Sequence, residues 1–285
     1  MTDDRGDRPG GTPHEMPGDL ATDPALAPPD SGWPRVITEP DAAAAGRTAA
    51  ALIAETLATA VAVRGRADFA TTGGSAPVGI YRALAASPLR EAMPWDATHV
   101  WWGDDRFVPR EHELSNVKPL DDVLLRDGAA PIPAANLHPF PVARTLAAGE
   151  DEAWCASELA GELRTAGLER QDGWPVFDLV LLGVGGDGHI LSVFPGSVAF
   201  TSDRWALPIP APTHIEPHVP RVTLHPNVVT VARAVLVVAL GGSKAATVRH
   251  VLRDPFDPER LPAQLTRRPG STWVIDEAAA SELTR

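Results

Sequence analysis

A chain of 285 residues, 44% of them hydrophobic, can bury a sizeable core. Its formal net charge of −12 excludes nucleic acid as a general partner, because phosphate backbones select basic surfaces. A single cysteine, Cys155, excludes a disulfide framework and any cysteine-rich metal site. The apolar run from Ala234 to Leu240 is far short of a bilayer span, and the N-terminus has neither the basic start nor the apolar block of a secretory signal. The expectation is therefore a cytoplasmic protein with no membrane partner. An acidic globule also disfavours an anionic small substrate unless positive charge is gathered locally.

Residues 1–32 are rich in Pro, Gly and Asp, lack apolar periodicity and hold seven acids against Arg5 and Arg8. They read as a disordered tail, leaving 33–285 as one domain. Val36 to Thr38 is a short strand and Ala42 to Val63 a helix with Ile53, Leu57 and Val61 on one face. Asp68 to Thr72 is a strand running into Gly73-Gly74-Ser75, with Pro77 in the first turn of a helix that ends near Ala85. His99 to Gly103 is a strand ending at Asp104-Asp105-Arg106, and 115–125 and 146–166 are expected to be helices. Phe177 to Leu182 is an apolar strand that opens into Gly183 to His189. Further strands are expected at Trp205 to Ile209, Arg221 to Leu224, Ala234 to Leu240 and Thr272 to Ile275, with Gly241-Gly242 leading into a helix from Ser243 to Leu252. Strands alternating with helices imply an α/β fold, a single-domain Rossmann-like three-layer α/β/α sandwich with a mostly parallel sheet.

Ligands of such sheets sit beyond the carboxyl ends of the strands, where four polar or glycine-rich segments fall. Gly73-Gly74-Ser75 can bring backbone N–H groups and a helix start to an anion, or simply make a tight turn. Asp104-Asp105-Arg106 offers a planar guanidinium steadied by acids, or a solvated ion pair. Gly183-Val184-Gly185-Gly186-Asp187-Gly188 matches the dinucleotide fingerprint literally. Pro195-Gly196 arrives too soon for the required helix, however, and Asp203 precedes the next strand instead of ending it, so a nicotinamide cofactor is rejected. Asp187-Gly188-His189 remains as a turn presenting an acid and an imidazole, the side chain suited to proton transfer near neutrality. Gly241-Gly242-Ser243-Lys244 lacks P-loop spacing, but Lys244 can meet a phosphate held over the loop. No H-x-x-x-H spacing on a helix and no G-x-S-x-G elbow occurs, so neither a metal nor a nucleophilic serine is expected.

In order, these segments resemble the glucosamine-6-phosphate isomerase/6-phosphogluconolactonase family. Thr72-Gly73-Gly74-Ser75-Ala76-Pro77 is similar to its S-G-G-S-T-P loop. Gly103 to Pro109, with His112 and Ser115-Asn116, is similar to its D-E-R-x-V-P…H…S-N segment. Leu182 to Gly196 is similar to its L-G-x-G-x-D-G-H-x-x-S-L-F-P-G run, and Arg221-Val222-Thr223-Leu224 and Gly241 to Lys244 to later blocks. Asp105 departs from the usual Glu, and Ala76 from the usual Thr. The resemblance implies the fold shared with glucosamine-6-phosphate deaminase and hydrolysis of 6-phospho-D-glucono-1,5-lactone without metal or organic cofactor. It assigns His189 as general base, with Asp187 orienting His189 or a lactone hydroxyl. Gly73, Gly74, Ser75, Asp104, Arg106 and Lys244 then bind the substrate and its phosphate, and Arg221 lines the sugar pocket. The partner is a small phosphosugar lactone and the chain a monomer, with a weak dimer as the alternative. The rivals are a deaminase, whose G-F-N-E-P-like continuation is replaced here by Ser192-Val193-Phe194-Pro195-Gly196, and a non-catalytic sugar-phosphate sensor, which would have no use for Asp187-Gly188-His189.

Overall fold

The computed structural model describes residues 33–283; the tail expected over 1–32 lies outside the described residues. The first strand, β1 (Arg35–Glu39), leads into helix α1 (Ala42–Arg64). Asp41 caps the start of α1 by accepting the Ala44 amide at 2.7 Å. Gly65 ends it in the left-handed region at φ 74°. By length and hydropathy α1 is long enough to cross a membrane, yet its Ala49, Ile53 and Leu57 are buried against the sheet and helix α2 (Ser75–Leu84).

Strands β2 (Ala67–Thr71), β3 (Thr98–Trp102), β4 (Asp104–Arg106) and β5 (Leu137–His138) follow, then a small hairpin of β6 (Arg170–Gln171) and β7 (Trp174–Pro175). The remaining strands are β8 (Leu179–Leu182), β9 (Ala206–Ile209), β10 (Arg221–Leu224), β11 (Ala234–Ala239) and β12 (Ser271–Asp276). Seven strands form one sheet in the order β1-β12-β11-β8-β2-β3-β5, every neighbouring pair parallel. Its central strands β2 and β8 are buried throughout, as a parallel sheet covered on both faces requires. Right-handed crossovers place α1 and α2 on one face, and Glu152–Thr165 and Ala245–Arg253, whose connections run the other way, on the opposite face.

The chain leaves β2 toward β3 and leaves β8 toward β11, so the loops after β2 and β8 part at the centre of the sheet. That divergence opens a crevice at the carboxyl ends.

The structure corrects several expectations. Asp104-Asp105-Arg106 is itself a strand, β4, paired antiparallel with β10. β10 in turn pairs with β9, so the two strands expected in the main sheet form a separate antiparallel sheet β4-β10-β9. Gly103 joins the sheets: its amide donates to Thr71 O and its carbonyl accepts from Leu224 N, both at 2.8 Å. The helix expected over 115–125 shrinks to a turn at Lys118–Leu120 and a wider turn at Asp121–Leu125, because Ser115 Oγ accepts the Val117 amide and the Asn116 side chain is drawn away to Asp104 of β4. The helix expected over 146–166 is two, Val142–Ala148 and Glu152–Thr165, divided where Gly149 turns left-handed and Asp151 caps the second. The helix expected from Ser243 starts with a tight turn at Gly242–Lys244 before Ala245–Arg253.

Candidate active site

A cavity of about 680 Å³ occupies the crevice. Gly73, Gly74, Asp104, Arg106, His189, Arg221 and Lys244 all line it, and Ser75 is the first residue of α2 beside it. Asp187 stands off the cavity wall, behind His189.

The turn after β8 is built around that pair. Gly185 N donates to His189 O at 2.9 Å and Gly188 N to Gly185 O at 3.1 Å, closing the loop on itself. A Cβ on Gly185 would lie 2.0 Å from His189 Nδ1 and 2.6 Å from Asp187 Oδ1, so only glycine lets the imidazole fold back here. Thr247 Oγ1, on the helix Ala245–Arg253, donates to Gly186 O at 2.8 Å and ties the turn to the opposite layer.

Asp187 Oδ1 lies 2.6 Å from His189 Nδ1 and accepts the His189 amide at 3.2 Å. Burial alone would raise this carboxyl, but the His189 hydrogen bond and charge, joined by a His214 hydrogen bond, hold it well below the usual carboxylate range. Asp187 is therefore a carboxylate that can only accept, so His189 carries its proton on Nδ1. The Nε2 atom of His189 has no hydrogen-bond partner among the described residues and is left with a lone pair at the cavity.

The opposite wall is basic. Register pairs Arg106 of β4 directly with Arg221 of β10, a juxtaposition that like charges normally disfavour. Arg221 is 2% exposed, and burial pulls its guanidinium below its ordinary value. Among the described residues, the Nε atoms of both arginines are buried without a hydrogen-bond partner. Arg106 spends one Nη on Leu114 O and Arg221 one on Pro217 O. Gly74 precedes α2 at φ 92° with no described side chain capping the helix, so the first-turn amides are open to an anion. Positive charge is thus concentrated locally in an acidic protein.

Asp104 and Asp105 organise this wall from behind. Asp104, 4% exposed, accepts Ser192 Oγ at 2.6 Å and Asn116 Nδ2 at 3.1 Å. Asp105 accepts the amides of Arg106 and Asn116 at 2.8 and 2.7 Å, yet burial pushes its carboxyl up to about 7.

Two residues, Leu191 and His214, lay beyond the sequence reading, and Asn116 had no role assigned there. Asn116 fits so close to Gly73 that a Cβ there would sit 1.9 Å from its Oδ1. Leu191 lines the floor at φ 54°, a strained value for a residue with a Cβ. His214 reaches Asp187 from the loop between β9 and β10, whose Ile215 and Glu216 line the cavity. The one sequence signal for His214 is the placing of two histidines and a glutamate in the proline-rich stretch just before Arg221. Among the described residues no group of three or more His, Cys, Asp or Glu side chains is placed to hold a metal ion.

A mostly parallel sheet whose central crevice pairs an imidazole–carboxylate couple with a basic wall defines a sugar-phosphate enzyme scaffold. Residues 40–275 match the family described as glucosamine-6-phosphate isomerases/6-phosphogluconolactonase, and the chain belongs to that family. It is 33% identical to a 6-phosphogluconolactonase of Synechocystis sp. over 79% of this chain and 88% of that one. It is 32% identical to a 6-phosphogluconolactonase of Streptomyces coelicolor over 90% of this chain and 97% of that one. The 6-phosphogluconolactonase structure from Trypanosoma brucei superimposes with a TM-score of 0.76 at 28% identity, covering 89% of this chain and 100% of that one. A monomeric glucosamine-6-phosphate deaminase shares the fold at 19% identity and a TM-score of 0.69, covering 87% of this chain and 99% of that one.

Proposed function

We propose that this protein hydrolyses 6-phospho-D-glucono-1,5-lactone to 6-phospho-D-gluconate, the second step of the oxidative pentose phosphate pathway. The observation that carries the reading is His189, its Nδ1 tied to Asp187 and its Nε2 without a partner among the described residues, at a cavity walled by Arg106, Arg221 and Lys244. The two arginines, Lys244 and the first-turn amides after Gly74 bind the phosphate and sugar oxygens, which fixes the lactone carbonyl relative to His189. His189 Nε2 then takes a proton from a water as its oxygen bonds to the carbonyl carbon. Asp187 stabilises the resulting imidazolium, which returns that proton to the ring oxygen as the carbon–oxygen bond breaks.

The deaminase alternative wants an acid after the turn. Here that stretch supplies Ser192, which is buried and bonded to Asp104. A non-catalytic sensor would need the basic wall but not the Asp187–His189 couple. The same reading carries a cytoplasmic monomer using no metal or organic cofactor.

The test is a pH-stat or dehydrogenase-coupled assay on freshly generated lactone, corrected for spontaneous opening. Acceleration of the phosphorylated lactone, with unphosphorylated gluconolactone a poor substrate, is expected. No acceleration over the spontaneous rate refutes the reading, and ammonia release from glucosamine 6-phosphate would replace it with deamination.

A further inference from the structure

Asp187 is bonded on both oxygens, by histidines that lie on different elements. Oδ1 faces His189, and Oδ2 accepts from His214 Nε2 at 2.9 Å. We propose that His214 is a positioning residue for His189, acting through Asp187 and delivered by the β9–β10 loop; the inference rests on the hydrolase reading above. A carboxylate held on one oxygen turns easily about its terminal torsion, a soft two-fold rotor. A donor on the second oxygen fixes the plane of the group, and with it the ring that Oδ1 holds.

The surroundings are built to keep His214 there. Its ring meets Phe194 edge-on at 5.5 Å and 86°, and Phe194 also packs at 4.7 Å against His189. The Arg221 guanidinium lies 5.2 Å over the same phenyl ring. The loop is stiffened by Pro210, Pro212, Pro217 and Pro220, and His218 Nδ1 donates back to Pro212 O at 2.7 Å. That loop runs straight into Arg221, so one hairpin supplies both a cation of the basic wall and the second tie on Asp187.

The charged and titratable groups around His214 are Asp187 and His189 from the β8 turn, Arg221 from β10, and Glu216 with His218 on its own loop, those two paired at 3.1 Å. The His214 side chain is 51% exposed, so it stays in contact with solvent. Neutral His214 donates one hydrogen bond to Asp187. Protonated His214 adds a positive charge beside the same carboxylate and makes it harder for His189 to take a proton.

The full-length enzyme and its His214→Ala and His214→Gln variants separate positioning from simple coverage of the cavity. His214→Ala should lower kcat about ten-fold, the coupling expected of groups in one hydrogen-bonded network, with KM within about two-fold. Its acid limb should move up by about half a pH unit. His214→Gln keeps an N–H donor and most of the volume but cannot become cationic. It should recover kcat to within about three-fold while retaining the displaced limb. Wild-type kcat and acid limb in His214→Ala would overturn the proposal, as would a rise in KM with kcat unchanged. An NMR titration of the His189 ring in the wild type and His214→Ala is independent of turnover. An unshifted His189 midpoint refutes the coupling even where the lactone assay succeeds, whereas a shifted midpoint in a protein without lactonase activity refutes only the choice of substrate.

Discussion

Replacing Gly185 by alanine perturbs the site without removing any group that reacts. The added methyl would sit 2.0 Å from His189 Nδ1, 2.2 Å from Cε1 and 2.6 Å from Asp187 Oδ1, where ordinary contact begins at 3.4 Å. The imidazole or the turn must therefore yield by about 1.4 Å, the difference between 3.4 and 2.0 Å. The turn resists, because Gly185 N is bonded to His189 O and Thr247 holds Gly186 O. Displacement thus falls largely on the His189 ring, and a misplacement of about 1 Å at a reacting group can cost ~10²-fold. Gly185→Ala should lose about that factor in kcat on fresh phosphorylated lactone, with KM little changed because Arg106, Arg221 and Lys244 are untouched. Circular dichroism and a thermal melt would show the fold retained. A Gly185→Ala enzyme within about three-fold of wild-type kcat would refute the inference that the close packing of Gly185 sets the base.

His189→Ala should cost about 10²–10⁴-fold in kcat with a smaller change in KM, and His189→Asn should not rescue it, because an amide cannot accept the proton. Steady-state kinetics over pH checks both, and the acid limb should vanish with the imidazole. Arg106→Ala, Arg221→Ala and Lys244→Ala should each raise KM by about ten- to a hundred-fold, the loss of one charge-assisted contact of ~1.5–3 kcal/mol. Unphosphorylated gluconolactone should be insensitive to whichever of these changes removes a phosphate contact. Asp105, pushed up by burial to about 7, holds a proton that the unfolded chain releases near 3.8. Its contribution is full below that lower value and is lost as pH rises through about 7, up to ~4 kcal/mol. Thermal melts between pH 4 and 8 should therefore show stability declining, and Asp105→Asn, which still accepts the Arg106 and Asn116 amides, should flatten that slope.

The parts of the site legible in the sequence are those where an apolar run stops at glycine. Thr71 into Gly73, Leu182 into Gly183 and Leu240 into Gly241 mark buried parallel strands and the loops that follow them. Strand β4 escapes such a reading because Asp104-Asp105-Arg106 has no alternation of apolar residues. Its extended form comes from pairing with β10 and from the Asn116 and Ser192 bonds to its acids, all made by distant parts of the chain. The break in the 146–166 helix does carry local signals, Gly149 as a C-cap and Asp151 as an N-cap, which Ala- and Leu-rich flanks outweigh when periodicity alone is followed. His214 meets Asp187 across 27 positions of sequence, from a loop without periodicity, so only the folded chain brings the two together.

Gly103 has a further consequence for how the molecule breathes. The glycine loops of the cavity hang from the parallel sheet, whereas Arg106 and Arg221 belong to the antiparallel one, and Gly103 bonds to both. A sugar phosphate seated between them is a strut across that seam, linking two elements that could otherwise open separately. Occupancy then reaches amides that never touch the ligand. The exchange of β10 backbone hydrogens with solvent should slow when the cavity fills, the antiparallel sheet then sharing the protection of the larger one.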